Sequence, residues 1–203
     1  MPNTKIRIGV DIDGCIFDQL SAIIAYSALN YNLLIKDSQV TQFSLTETTP
    51  LTRLQLSTMF SDPQYHALLH PLPDVQLTLN TLSKWGFWIE LVSARFDAIY
   101  DITVNSLQQY SIPYNMMFLG IQDKSSHALH HNLTYFVEDR WKNAENLSQS
   151  LTGVFLIDHH WNSVGVNRQT LPKGMIRVGD NGQNSWLEIL DYFMKLRKNP
   201  RSK

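Results

Sequence analysis

Short apolar runs alternate with helical stripes along most of this chain. The runs Ile6–Val10, Phe87–Val92, Met116–Leu119, Tyr135–Val137, Val154–Ile157 and Met175–Val178 are bounded by turn residues and predict strands. Several have no polar alternation, as expected where a strand is buried on both faces. Leu20, Ile23, Ile24, Ala28, Tyr31 and Leu34 recur at helical spacing. Asp74 is placed to cap a helix running to Trp85, with Gly86 as its stop. Ile99, Ile102 and Leu107 mark another helix, and Ala144 and Leu147 a short one. Ser185-Trp186-Leu187-Glu188 reads as a capping box, followed on one face by Trp186, Ile189, Leu190 and Phe193.

The strand–helix alternation from Trp85 onward predicts an α/β, Rossmann-like, three-layer core: a parallel sheet with helices on both faces. The interval before it is different. Roughly 60 residues separate Asp18 from Asp74, where a crossover between parallel strands needs only a dozen or more. Helical patterns and the dipeptides Thr49-Pro50 and Asp62-Pro63 fill it, with Pro71-Leu72-Pro73 near its end. It predicts a small helical cap, residues 18–74, inserted after the first strand into a core made of 1–17 and 75–203.

Composition narrows the function classes. The 203 residues are 43% hydrophobic, enough for a sizeable core, and the formal net charge is −1. That balance lacks the basic footprint of a general nucleic-acid binder, so no nucleic-acid polymer is expected as a partner. The one cysteine, Cys15, excludes an intramolecular disulfide and fits a reducing compartment. Met1-Pro2-Asn3-Thr4-Lys5 leads into the first strand without a signal-peptide stretch, and no apolar run approaches the ~20 residues that span a bilayer. A cytoplasmic location without membrane contact is expected. The basic tail Lys195–Lys203 reads as a solvated, frayed terminus. Monomer and homodimer both stay open.

Reactive groups follow the strands. Asp11 and Asp13 flank Ile12 at the end of the first, just before Gly14, and residues i and i+2 of an extended chain point the same way. Two like charges brought together call for a cation or a shared proton. Ser93-Ala94-Arg95 follows the second strand, Lys124 lies at a helix start after the third, and Glu138-Asp139 follows the fourth. Ligands of open α/β sheets bind beyond the carboxyl ends of the strands, where all four segments end up. Carboxylates hold Mg²⁺ together with water and phosphate oxygens. A serine hydroxyl and a lysine ammonium suit phosphate. One aspartate can attack phosphorus while the other moves a proton.

In this ordered set, Asp-x-Asp-Gly, Ser, Lys and Glu-Asp, the chain resembles the haloacid dehalogenase-like (HAD) phosphohydrolases over about two-thirds of its length. Finer similarity points to the 5'(3')-deoxyribonucleotidase-like branch. Its marks are the Asp-x-Asp-Gly-x-x-x-Asp pattern from Asp11 to Asp18, the helical cap, Asn143-Ala144-Glu145-Asn146, Trp161-Asn162 and the late Trp186. The resemblance implies a magnesium-dependent hydrolase, a phosphatase working through an aspartyl-phosphate on Asp11. It implies Asp13 as general acid/base, and Ser93 and Lys124 as phosphate ligands. The metal would sit on Asp11, the main-chain carbonyl of Asp13, and Asp139, with Glu138 acting through water. Cys15 and Glu138 stand where the family commonly has Val or Thr, and Asp.

The implied substrate is a small phosphate ester, with (deoxy)nucleoside monophosphates leading. Phe17, Phe43, Phe60 and Tyr65 are candidate stacking faces for a base, Phe17 being nearest the reactive loop. Arg95 either contacts substrate or folds back on an acidic neighbour. Three alternatives stand beside the nucleotidase reading: the same core acting on a sugar phosphate, a non-catalytic nucleotide-binding module, and a two-metal DHH-type phosphoesterase suggested by Asp158-His159-His160. An EF-hand is excluded, since the twelfth position counted from Asp11 is Ala22. His127, His130 and His131 are spaced to permit a metal pair, but without a cysteine partner they read as a surface helix.

Overall fold

The central strands are mostly apolar because they are covered on both faces. In the computed structural model, which describes residues 5–163 and 171–198, six strands form one all-parallel sheet in the order β3-β2-β1-β4-β5-β6. They are β1 (Arg7–Val10), β2 (Trp88–Val92), β3 (Met116–Phe118), β4 (Tyr135–Glu138), β5 (Gly153–Ile157) and β6 (Met175–Val178). Successive side chains point to opposite faces of a strand. Tyr135, Val137, Phe155 and Ile157 therefore enter one apolar core, while Phe136, Val154 and Leu156 enter the other. The result is the expected Rossmann-like three-layer α/β arrangement.

Four of the helices between β1 and β2 fall in the first part of that interval: α1 (Gln19–Tyr31), α2 (Leu45–Thr48), α3 (Arg53–Ser61) and α4 (Pro63–Ala67). They are tied by side chains as well as packing. Tyr26 donates its hydroxyl to Asp62 at 2.5 Å, and Tyr31 donates to the carbonyl of Gln55 at 2.8 Å. The remaining helices are α5 (Val75–Lys84), α6 (Tyr100–Gln109), α7 (Lys124–His130), α8 (Trp141–Ser148), α9 (His160–Ser163) and α10 (Ser185–Lys198). Helices α5 and α10 pack together against one core, and α7 and α8 against the other. No helix among the described residues is long and apolar enough to cross a membrane.

Four local expectations are corrected. Helix α1 stops at Tyr31 because Asn32 turns left-handed (φ 51°), which leaves Leu34 outside the helix and 87% exposed. Asp74 precedes α5 in a left-handed conformation (φ 62°), and its side chain makes no capping bond. The Ser185–Glu188 pair is not a reciprocal box: Ser185 Oγ donates to the carbonyl of Val178, and Glu188 accepts the N–H of Gly179. The basic tail is helical as far as Lys198. Residues 1–4 and 199–203, on which the terminal expectations also rest, lie outside the described residues.

The topology locates the site. Strand β1 pairs with β2 on one side and with β4 on the other, in register at Val10–Leu91 and Val10–Val137. The chain leaves β2 and β4 in opposite directions across the sheet, so a crevice opens at the carboxyl end of β1.

Candidate active site

Strand register brings together side chains that lie far apart in sequence. The N–H of Asp11 donates to the carbonyl of Val137 at 3.0 Å, so the first carboxylate starts where β4 ends. Its Oδ1 accepts the N–H of Ile12 at 2.8 Å, and Lys124 Nζ lies 2.7 Å from Oδ2. The same ammonium donates to Glu138 Oε2 at 2.9 Å. Lys124 is buried at the first turn of α7, so it reaches the crevice from the adjoining layer. Burial works against its charge, but Asp11 and Glu138 more than offset this, and its pKa is raised.

Glu138 is satisfied inside the protein. Oε1 accepts the N–H groups of Asp139 and Arg140 (3.2 and 3.1 Å), and Oε2 accepts from Asn143 (3.3 Å) as well as Lys124. Asp139 sits against Gly14 in the loop that follows Asp11. Its Oδ2 accepts Trp161 Nε1–H at 3.0 Å, and its carbonyl accepts Asn162 Nδ2–H at 2.5 Å. Ligand atoms of Asp11, Glu138 and Asp139 all lie within 4.8 Å of one another. Burial pushes Asp11 up to about 7 despite Lys124, with Glu138 adding to the rise. Burial and then Glu138 push Asp139 well above the usual carboxylate range. A buried acid cluster with one ammonium is under-compensated, and a hard divalent cation is the species that would complete it.

Asp13 takes the other side of the crevice. Arg95 grips it with two bonds, Nε to Oδ2 at 2.8 Å and Nη2 to Oδ1 at 2.7 Å. Of the two alternatives for Arg95, the chain adopts the fold back onto an acidic neighbour. Burial alone would raise the Asp13 pKa, but the guanidinium overcomes it and holds the carboxyl below its ordinary range. Ser93, buried, follows β2, and its Oγ accepts the N–H of Arg95 at 3.2 Å.

Gly14 makes the close approach feasible. Its φ is +72°, and a Cβ there would overlap the carboxylate of Asp139. The rest of the loop is pinned from three elements. Trp186 Nε1 donates to the carbonyl of Cys15 at 2.8 Å, Phe17 bridges to Pro71, and His159 Nε2 donates to the carbonyl of Gly14 at 2.7 Å. Burial lowers the His159 pKa to about 4, so the ring is neutral.

Two sequence expectations shift here. Phe17 has no exposed surface and packs edge-on to Tyr110, so it offers no stacking face. The triplet Asp158-His159-His160 diverges: Asp158 pairs with Arg177, His159 turns to Gly14 and stacks on Trp161, and His160 lies 3.6 Å from Asp37. It forms no metal-binding group among the described residues, which removes the basis of the DHH reading.

A cavity of about 350 Å³ opens over these groups, lined by Asp11, Asp13, Ser93, Arg95 and Asp139 on one side and by Phe43, Phe60, Tyr65 and His66 on the other. A second cavity of about 440 Å³ adjoins it, mostly apolar, and the two share Gln19, Phe43, Phe60 and Arg140. Arg140 lies over the Phe43 ring, 4.5 Å from its centre. Sequence reasoning missed Gln19 and Arg140. Arg140 directly follows the acidic pair, and that adjacency was the available signal.

Comparison with known proteins agrees with this architecture. No family model matches the chain. A Clostridium acetobutylicum protein named as a nucleotidase is 26% identical over 170 residues, covering 82% of this chain and 88% of the relative. Among solved structures, a protein assigned as a β-phosphoglucomutase from Thermotoga maritima superposes with a TM-score of 0.60 at 13% identity, covering 94% of this chain and 99% of that one. A protein assigned as a phosphatase from C. acetobutylicum gives 0.60 at 12% identity over 95% and 99% of the two chains. A haloacid dehalogenase-like hydrolase from Bacteroides fragilis gives 0.58 at 14% over 89% and 99%. The chain shares the fold of these three structures, one of which is named as a haloacid dehalogenase-like hydrolase.

Proposed function

We propose that the protein is a Mg²⁺-dependent phosphomonoesterase that hydrolyses (deoxy)nucleoside monophosphates through an aspartyl-phosphate on Asp11. The observation that carries this reading is the single ammonium of Lys124, held 2.7 Å from Asp11 and 2.9 Å from Glu138, with Asp139 beside them. A carboxylate nucleophile needs an adjacent cation to accept a dianionic phosphate, and Lys124 is in that position.

Asp11 and Asp139, with the main-chain carbonyl of Asp13, would hold Mg²⁺. The bound ion would offset the acid cluster and the charge of the phosphoryl group. Glu138 spends both oxygens on N–H donors and positions Lys124. In the first step Asp11 Oδ2 attacks phosphorus, the bond from phosphorus to the ester oxygen breaks, and Asp13 gives that oxygen a proton. In the second step Asp13 takes a proton from water as the water oxygen attacks the acyl-phosphate, freeing Asp11 and inorganic phosphate. Arg95 holds Asp13 as the anion in the free protein. Protonation for the first step therefore requires Arg95 to turn toward the incoming phosphate, which Ser93 and Lys124 also face.

The paired cavities favour a phosphate ester carrying a flat, largely apolar group. The acid-lined cavity takes the phosphate, and the apolar one, edged by Phe43 and Phe60, takes a base. A sugar phosphate would leave the apolar cavity unfilled. The nucleotidase name of the Clostridium relative supports the same substrate class. The experiment is a phosphate-release screen over nucleoside monophosphates and sugar phosphates with Mg²⁺. Release from nucleotides is expected. Release from sugar phosphates alone overturns the substrate class and leaves the chemistry standing, while nucleotide binding without release of phosphate identifies a binding module.

A further inference from the structure

Glu90 lies in β2 with no exposed surface. A carboxylate inside a parallel sheet is unfavourable unless its charge and lone pairs are met. Half of it is met: Oε1 accepts from the Arg7 guanidinium and from Trp88 Nε1 at 2.8 Å. Oε2 is buried and accepts no hydrogen bond. It faces two imidazoles, with His131 Nδ1 at 2.9 Å and His127 Nε2 at 3.7 Å. His127 Nε2 is also buried without a hydrogen-bond partner, on a side chain only 8% exposed. The two rings come from successive turns, at the last part of α7 and its C-cap. They stack with centres 4.0 Å apart, and each packs against Phe118 at 4.7 Å.

We propose that Glu90, His127 and His131 form a second metal site, taking a borderline divalent transition ion such as Zn²⁺. Their ligand atoms all lie within 4.8 Å of one another. Donors in a tetrahedral zinc site, with bonds of about 2.0–2.1 Å, stand roughly 3.3 Å apart. The separations of 2.9 and 3.7 Å from Glu90 Oε2 bracket that value, and coordination would turn one of the two near-parallel rings out of the stack so that both lone pairs meet the ion. Two imidazole nitrogens with one carboxylate select Zn²⁺-type ions over Mg²⁺, which prefers oxygen ligands and water. His131, 20% exposed, lies on the solvent side, where an ion can enter and a water can take the fourth position. The ion would pin α7, which begins with Lys124, to β2, which runs into Ser93. It would thus fix the spacing of two side chains that face the crevice while staying clear of the Asp11 cluster.

The test is a calorimetric titration of the full chain, stripped with chelator, with Zn²⁺ in buffer containing Mg²⁺. One equivalent is expected in the wild type and also in Asp11→Asn/Asp139→Asn, which removes two carboxylates of the other cluster. In His131→Gln the affinity should fall at least about 100-fold, beyond what loss of an outer-shell partner usually does. The rise in melting temperature on adding Zn²⁺ should vanish with it. Imidazole NMR signals of the wild type supply a readout independent of whether that variant folds: those of His127 and His131 should move on Zn²⁺ addition. Equal affinity in His131→Gln, loss of binding in Asp11→Asn/Asp139→Asn, or unmoved His127 and His131 signals would each overturn the site.

Discussion

Gly14 carries a heavy constraint for a residue with no side chain. It holds φ at +72° and leaves room for the Asp139 carboxylate where any other residue would put a Cβ. Gly14→Ala should cost about 1–2 kcal/mol in backbone strain alone. Pushing Asp139 aside should also weaken Mg²⁺ binding, read as a smaller Mg²⁺-induced rise in melting temperature. Arg95 sets the protonation of Asp13. The guanidinium lowers the Asp13 pKa, so Arg95→Gln should let it rise. Asp13 acts as base in the second step, so where that step limits turnover the acidic limb of the kcat profile should then move to higher pH; an unmoved limb would mean that another group controls it. The meeting of Asp11, Asp13, Ser93, Lys124, Glu138 and Asp139 at one end of the sheet was legible because each sits at or just after a strand end or starts the next helix. Phe17 was misread because its surroundings are set by Pro71, 54 positions away, to which no local pattern points. Glu90 went unnoticed since an acid in an apolar run looks like an interruption until α7 supplies its partners.

Strands β1, β2 and β4 bring Asp11, Ser93, Glu138 and Asp139 together, and more distant segments hold the Gly14–Phe17 loop in position. Trp186, at the start of α10, donates to the carbonyl of Cys15. Trp186→Phe keeps the ring in the core but leaves that buried carbonyl unmet, so a loss of about 1–3 kcal/mol should appear in chemical denaturation. His159, after β5, holds the same loop through Gly14 and stays neutral, with its pKa lowered to about 4 from 6.5. The unfolded chain takes up this proton near pH 6.5 and the folded chain only near pH 4. This contribution to stability is therefore complete above pH 6.5 and declines as the pH falls toward 4, by on the order of 3 kcal/mol. His159→Gln keeps a donor without the titration. The stability of the wild type relative to that variant should fall across this window and stay level above it. Strands and helices themselves were readable from apolar spacing, because burial on one or two faces writes directly into the sequence. Caps were not: the roles of Asp74 and Ser185 depend on backbone angles and on carbonyls supplied by other segments.

The molecule is arranged around one crevice at the carboxyl end of β1, with helices α1–α4 contributing its facing wall. Chain order alone suggested that wall, since the long interval between the first two strands had to fold somewhere near the strand ends. The link between an acid-lined cavity and an apolar one was not readable, because it depends on Gln19, Phe43, Phe60 and Arg140 meeting from four separate segments. Mg²⁺ should raise the melting temperature of the whole chain by mass action on the folded state. Asp139→Asn should abolish that rise. Steady-state phosphate release from a nucleoside monophosphate with Mg²⁺, comparing the wild type with Asp11→Asn, tests the proposed chemistry. Asn removes a buried charge without changing shape, so the variant should fold. Turnover that depends on Mg²⁺ and falls by at least about 10³-fold in Asp11→Asn is expected. Turnover that persists in Asp11→Asn, or proceeds equally well without Mg²⁺, would contradict it.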